Sequence, residues 1–226
     1  VSLPPLNLKN QQIYMKRYRA LLLFILAVIA VLPATAQFRY APVVGVNISD
    51  LKFKQDLFDV KQSVGFQLGV QGELMFPGIG FGMDFSLLYN QMGAKTDLGS
   101  RPVWAVDGFG NERVTVHTLQ VPVHLRFKWT RMNGLEDYIA PFVYGGPDFS
   151  ITVGHSGFKG KGDVKNAYRY AGGDLGLTAG GGFELWKRWQ GSVQYTWGMT
   201  YLLKTRKLDN LSARNRQWAV RVAYFF

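Results

Sequence analysis

Residues 119–129 read LQVPVHLRFKW, with Leu119, Val121, Val123, Leu125, Phe127 and Trp129 on one parity and Gln120, Pro122, His124, Arg126 and Lys128 on the other. Successive side chains of a strand project to opposite faces, so the stretch predicts a strand with one apolar and one polar face. Neighbouring segments repeat the pattern. Leu175, Leu177, Ala179, Gly181, Phe183 and Leu185 alternate with Asp174, Gly176, Thr178, Gly180, Gly182 and Glu184. Val193, Tyr195, Trp197, Met199 and Tyr201 alternate with Ser192, Gln194, Thr196, Gly198 and Thr200.

Earlier segments obey the same rule. Val64, Phe66, Leu68, Val70 and Leu74 oppose Gly65, Gln67, Gly69, Gln71 and Glu73, and Phe81, Met83, Phe85, Leu87 and Tyr89 oppose Gly82, Asp84, Ser86 and Asn90. Val44, Val46 and Ile48 mark a first strand. Trp218, Val220, Val222, Tyr224 and Phe226 mark a last one that starts near Asn215. Tyr138 to Val153 is extended and aromatic, but its parity slips at Gly145, Gly146 and Pro147, which predicts a bulge there. The count is eight strands. Short connections (PGIG, TRMNGLED, KRW) alternate with longer ones near residues 50–62, 93–112, 154–172 and 203–213. An antiparallel up-and-down meander with its turns at one end and its loops at the other has that rhythm.

Composition agrees with β structure: 26 glycines and 15% aromatic residues accompany a mean hydropathy of −0.02. The absence of cysteine excludes a disulfide scaffold, a thiolate metal site and N-terminal lipidation on cysteine. Met15 to Gln37 reads MKRYRALLLFILAVIAVLPATAQ, with Lys16, Arg17 and Arg19 ahead of an apolar core from Ala20 to Leu32 and the small residues Ala34, Thr35 and Ala36 behind it. This is the pattern of a helical secretory signal peptide cleaved after Ala36. Its apolar run of 13 residues is short of the roughly 20 that a helical span requires. We therefore expect residues 1–36 to be an upstream extension and signal, and residues 37–226 to be one domain. Removing the first 36 residues takes away Lys9, Lys16, Arg17 and Arg19 and no acid, so 26 cations become 22 against 15 acids, a formal +7. An exported basic chain meets little nucleic acid, and lipopolysaccharide phosphates are the expected counter-charge.

The choice between a soluble sandwich and a membrane barrel rests on what the polar parity contains. A sandwich would show water a row rich in Lys and Glu. Here that row is mostly Gly, Ser, Thr, Asn and Gln, with charges of both signs, as suits a crowded interior. Glu73, Asp84, His124, Arg126, Lys128, Asp174, Glu184 and Arg221 are the expected polar network of a lumen. The apolar row carries Trp129, Tyr138, Trp186, Trp189, Tyr201, Trp218 and Tyr224, often at strand ends, as an aromatic girdle requires. Backbone groups left unpaired in hydrocarbon cost several kcal/mol each, so the eight strands must close. The reading is all-β: an eight-stranded transmembrane β-barrel in the cell outer membrane. Tyr224 and Phe226 serve as a C-terminal targeting signal for the barrel-assembly machinery.

The chain resembles the PorT-like group of outer-membrane β-barrel proteins of the Gram-negative Bacteroidetes lineage. The resemblance is carried by HTLQVPVHLRFKW (His117 to Trp129), APFVYGGP (Ala140 to Pro147), DLGLTAGGGFEL (Asp174 to Leu185), YTWGMTYL (Tyr195 to Leu202) and the RN of Arg214 and Asn215. It implies a small barrel whose members mostly lack a defined activity, with one branch tied to secretion of surface proteins and gliding components. It implies no catalytic residue and no cofactor.

An eight-stranded barrel is just wide enough for side chains to fill. Four acids and three bases on the inner row predict a paired plug without appreciable conductance. His155 and Ser156, with His117 near the same rim, resemble the ingredients of a lipid A hydrolase. Neighbours on a strand point to opposite sides, however, and no acid completes a triad. Lys159, Lys161, Lys165 and Arg169 are placed to clamp phosphates. His124 reads as a network member, and three histidines without cysteine suggest no metal site. The glycines at 180–182 relieve crowding in mid-strand. The expected function is that of a non-enzymatic scaffold, adhesion or secretion-accessory protein that contacts outer-membrane lipid, lipopolysaccharide and surface proteins through its loops. The alternatives are a lipid A-modifying enzyme and a soluble lipocalin-like carrier.

Overall fold

The computed structural model describes residues 37–53, 59–76, 78, 80–97, 112–156, 168–201, 203–205 and 213–226. The expected signal peptide, along with Lys159, Lys161 and Lys165, lies outside the described residues. The strands are β1 (Gln37–Phe53), β2 (Asp59–Met75), β3 (Phe81–Asp97), β4 (Glu112–Lys128), β5 (Ile139–Ser156), β6 (Tyr168–Tyr170), β7 (Gly173–Leu185), β8 (Trp189–Gly198), β9 (Leu203–Thr205) and β10 (Ala213–Tyr224). Each long strand pairs antiparallel with the next, in the order β1-β2-β3-β4-β5-β7-β8-β10. β10 then returns to β1, from Val43 opposite Ala223 to Phe53 opposite Ala213, and the sheet closes as an eight-stranded barrel.

Three local expectations are corrected. First, the strands reach further than alternation suggested: β1 to β4 each span 17 residues, so parts of 50–62 and 93–112 are strand and not loop. Seventeen residues extend about 55 Å, more than a tilted strand needs to cross an apolar band about 25 Å tall. Second, the long connections 154–172 and 203–213 contain β6 and β9, which pair with each other and continue β7 and β8 past the end of the barrel. Third, β5 carries no bulge at Gly145–Pro147. Leu125 faces Gly145 and Gly145 faces Ala179 within unbroken register, and the only shift against β4 lies at its far end, between the His117 and Thr118 pairs. The apparent slip arises because Phe142 and Tyr144 point inward, on the same row as Asp148 and Ser150, and are buried.

Alternation elsewhere separates two surfaces. Val64, Leu68, Val70 and Leu125 face outward at 68, 54, 57 and 67% exposure, within an apolar belt that goes round the barrel. Such a belt is untenable in water and natural in hydrocarbon. Rings collect at both ends of it. Trp189, Tyr224, Phe226 and Tyr40 touch in series at the turn end, with centroids 4.9, 5.4 and 5.6 Å apart. Tyr195 lies 4.6 Å from Trp197 and 4.8 Å from Trp218 towards the loop end. Trp129, Tyr138 and Trp186 are exposed at the turn end, while Tyr201 is half-buried beyond β8 at the loop end.

Inside, the lumen is lined by buried side chains. Most of it is polar, but Ala41, Val43, Leu88, Ala223 and Phe225 form a small buried apolar cluster. Elsewhere, glycines make room for a ring and for close approach of a neighbouring strand. A Cβ at Gly180 would stand 2.8 Å from the Tyr144 ring, and one at Gly182 would stand 2.0 Å from the Gly191 carbonyl oxygen.

Candidate functional site

The turn-end half of the lumen holds one connected cluster of charges. Arg126 and Lys128 share the inward row of β4. Glu73 comes from β2, Asp84 from β3 and Glu184 from β7. Glu73 accepts from Arg126 Nη1 at 2.6 Å, Lys128 Nζ at 2.6 Å, Arg39 Nη2 at 2.5 Å and Gln190 Nε2 at 2.7 Å. Arg126 Nε also donates to Asp84 at 2.7 Å. Glu184 accepts from Lys128, Arg39 and Gln190 at 2.9, 2.6 and 2.7 Å. Three acids thus meet three bases in a zone where Glu73 is fully buried. Such burial is tolerable only because every charge is paired and hydrogen-bonded. Arg126 lies with its guanidinium carbon 4.1 Å from the Phe142 ring centroid, so the aromatic inner row of β5 is the wall against which the cluster is held.

Above this layer, His124 Nε2 is 3.0 Å from Asp148 Oδ1 and stacks on Tyr144 at 5.2 Å. Asp148 also accepts from the Thr178 hydroxyl, which is 2.7 Å from that of Thr196. Arg221 is buried and donates Nε to Gln67 Oε1 at 2.7 Å; among the described residues no carboxylate lies within ion-pair distance of it. Nearer the loop end the lining turns neutral. Asn47 Nδ2 donates to Asn90 at 2.8 Å, Asn90 Nδ2 donates to Gln217 at 3.1 Å, and the Ser49 hydroxyl donates to the Gly93 carbonyl at 2.8 Å.

Of the eight lumen residues selected by parity, Glu73, Asp84, Arg126, Lys128 and Glu184 come together in one cluster. His124 and Arg221 sit in the middle layer. Asp174 stands apart: it is only half-buried at the loop-end rim and takes its bond from the Thr200 hydroxyl. Asp148 and Arg39 occupy places the sequence reading missed. Arg39 lies in β1 ahead of the segment recognised there as strand, and Asp148 was hidden by the supposed slip in β5.

A cavity of about 480 Å³ opens the turn end of the barrel, with Arg39, Glu73, Lys128 and Glu184 in its lining. Lys187, in the turn after β7, lies 2.6 Å from Asp137, whose hydrogen bond and charge raise its pKa above the ordinary lysine value. At the other end, His117 and His155 are brought to neighbouring positions of β4 and β5. His117 Nδ1 is 2.6 Å from the Tyr89 hydroxyl. His155 and Ser156 are consecutive residues of β5 and project to opposite sides. Among the described residues no three His, Asp or Glu side chains converge as metal ligands would.

A family model for an outer membrane protein beta-barrel domain matches residues 33–204. No curated protein matches the chain. Solved structures of similar fold include OprG from Pseudomonas aeruginosa, at 11% identity and a TM-score of 0.46, with 84% of this chain and 95% of that one covered. Neisserial surface protein A gives 9%, 0.44, 83% and 97% for the same four quantities. The outer membrane enzyme PagL gives 11%, 0.41, 79% and 97%. With its closed sheet, apolar exterior and match over most of its length, the chain belongs to the outer membrane protein beta-barrel domain family and resides in the outer membrane.

Proposed function

We propose that this barrel works without catalysis, as a scaffold, adhesion or secretion-accessory protein whose lumen is plugged and whose contacts are made at its loop end. Short turns face the periplasm and long loops the cell exterior in barrels of this kind. The observation that carries the reading is the layer of three acids and three bases that crosses the turn-end lumen, because transport would have to break a buried and fully paired cluster. The resemblance to the PorT-like group favours the secretion-accessory branch. Export by a signal cleaved after Ala36, and recognition of the outward row ending in Tyr224 and Phe226 by the barrel-assembly machinery, belong to the same proposal. The arrangement of His117, His155 and Ser156 gives no support to the hydrolase alternative. Purified protein in planar bilayers is expected to give no stable conductance steps, and lipid A mass spectra are expected to be the same in cells with and without the gene. Stable single-channel steps would overturn the plug, and a changed lipid A would overturn the non-catalytic reading.

A further inference from the structure

The seam between β8 and β10 opens into a groove on the outer surface of the barrel. Arg216 pairs with Trp197 at the end of β8, and the next pair of β10 joins Ala213 to Leu203 in β9, so the ladder along β10 is interrupted between the two. The kink is built in. The amide nitrogens of Met199 and Thr200 lie 2.8 and 3.3 Å from the Leu175 carbonyl oxygen, and the Leu175 amide donates to the Thr200 hydroxyl at 2.9 Å. The resulting groove holds about 820 Å³ and is lined by Lys52, Arg214 and Arg216 together with Trp197, Met199 and Tyr201. Among the described residues that line it, none is acidic. Arg214 lies over the Tyr201 ring at 4.8 Å and reaches its hydroxyl at 3.5 Å, so its guanidinium is held against the wall of the groove.

Its height on the barrel suggests an occupant. Arg214 and Arg216 continue the outward row of Trp218, Val220, Val222 and Tyr224. Arg214 is ten residues above Tyr224, about 33 Å along the strand. At a tilt of about 40° this is about 25 Å along the membrane normal, the full height of the apolar band. The three cations therefore stand where hydrocarbon gives way to headgroups at the loop end, with Arg216 level with Trp197 and the paired Lys52 and Arg214 one step beyond it. The leaflet at that end carries its negative charge as phosphates on an acylated disaccharide.

We propose that the β8–β10–β1 seam binds one molecule of lipid A from the side, with its phosphates on Lys52, Arg214 and Arg216 and its acyl chains against Trp197 and Met199. The inference rests on the outer-membrane placement and not on the plug, so conductance does not bear on it. A cationic groove bordered by rings offers charge-assisted hydrogen bonds above and apolar contact below, the two features such a lipid presents.

The test is native mass spectrometry of the detergent-solubilised full chain with bisphosphorylated lipid A, dephosphorylated lipid A or phosphatidylglycerol. The bisphosphorylated form is expected to bind about tenfold more tightly than either of the others, a difference of about 1.4 kcal/mol. The variant Lys52→Gln/Arg214→Gln/Arg216→Gln should lose that preference. Arg131→Gln/Lys187→Gln/Arg188→Gln, which removes three cations at the turn end, should keep it. Equal binding of all three lipids by the unmutated protein, or a preference that survives the seam variant, would overturn the proposal. Phosphatidylglycerol binding as tightly as bisphosphorylated lipid A would also overturn it, by showing a general anionic surface. Should the seam variant not fold, the comparison of lipids on the unmutated chain decides the matter.

Discussion

At the turn end of the lumen Glu73 accepts bonds from Arg39, Arg126, Lys128 and Gln190, whereas at the loop end Asn90 accepts from Asn47 and donates to Gln217. Both layers are polar, buried and inside the same barrel. They differ in what happens when one member is lost. A formal charge stripped of its partner away from water costs several kcal/mol, while an amide stripped of its partner costs about 1–3 kcal/mol. The charged layer therefore sets the register of β2, β3, β4 and β7 with little tolerance, and the amide layer fills space with more. The turn-end half of the lumen is the half least open to change.

The largest effect is expected for Glu73→Ala, which leaves Arg39, Arg126 and Lys128 short of an acceptor. Urea unfolding in detergent should show a loss of about 3–5 kcal/mol. A loss below about 1 kcal/mol would mean that the layer is hydrated and that the contrast between the two halves is not real. Asn90→Ala is expected to cost about 1–3 kcal/mol in the same assay, since it strands only neutral groups. If it matched Glu73→Ala, the charged layer would have no special standing.

The smallest effect is expected outside the lumen. The Lys187–Asp137 pair is exposed to solvent on both sides, and water and salt screen it. Lys187→Ala should leave the unfolding midpoint where it is. The pKa of Lys187 is raised in the fold, so whatever it contributes is complete below the ordinary lysine value and is lost only as pH climbs through the raised one. The difference between wild type and variant should accordingly be flat from about pH 5 to pH 9. A dependence on pH within that window would mean that another group titrating there is coupled to Lys187.

Strand 5 shows where reading by period reaches its limit. The segment APFVYGGPDFSITV keeps one phase throughout, yet its inner row changes from Phe142 and Tyr144 to Asp148 and Ser150. Alternation was legible only where the inner row was polar. Phe142 and Tyr144 are inside because the register sets them across from Gly182 and Gly180, and because Arg126 needs a wall. Neither reason is local. The same limit hid Arg39, whose partner Glu184 lies 145 residues away, and it hid the groove beside β10, which exists because two ladders differ in length.

The sequence by itself determined the all-β class, the number of barrel strands and which face of most strands meets lipid, because side-chain parity is a property of each strand alone. It also supplied the inward position of five of the six charges in the turn-end cluster. Only the tertiary structure decided which charges meet, where Asp148 and Asp174 part company, and how β10 closes on β1, because those depend on register between strands far apart in the chain. Local period chooses a face, and the closure of the sheet chooses a neighbour.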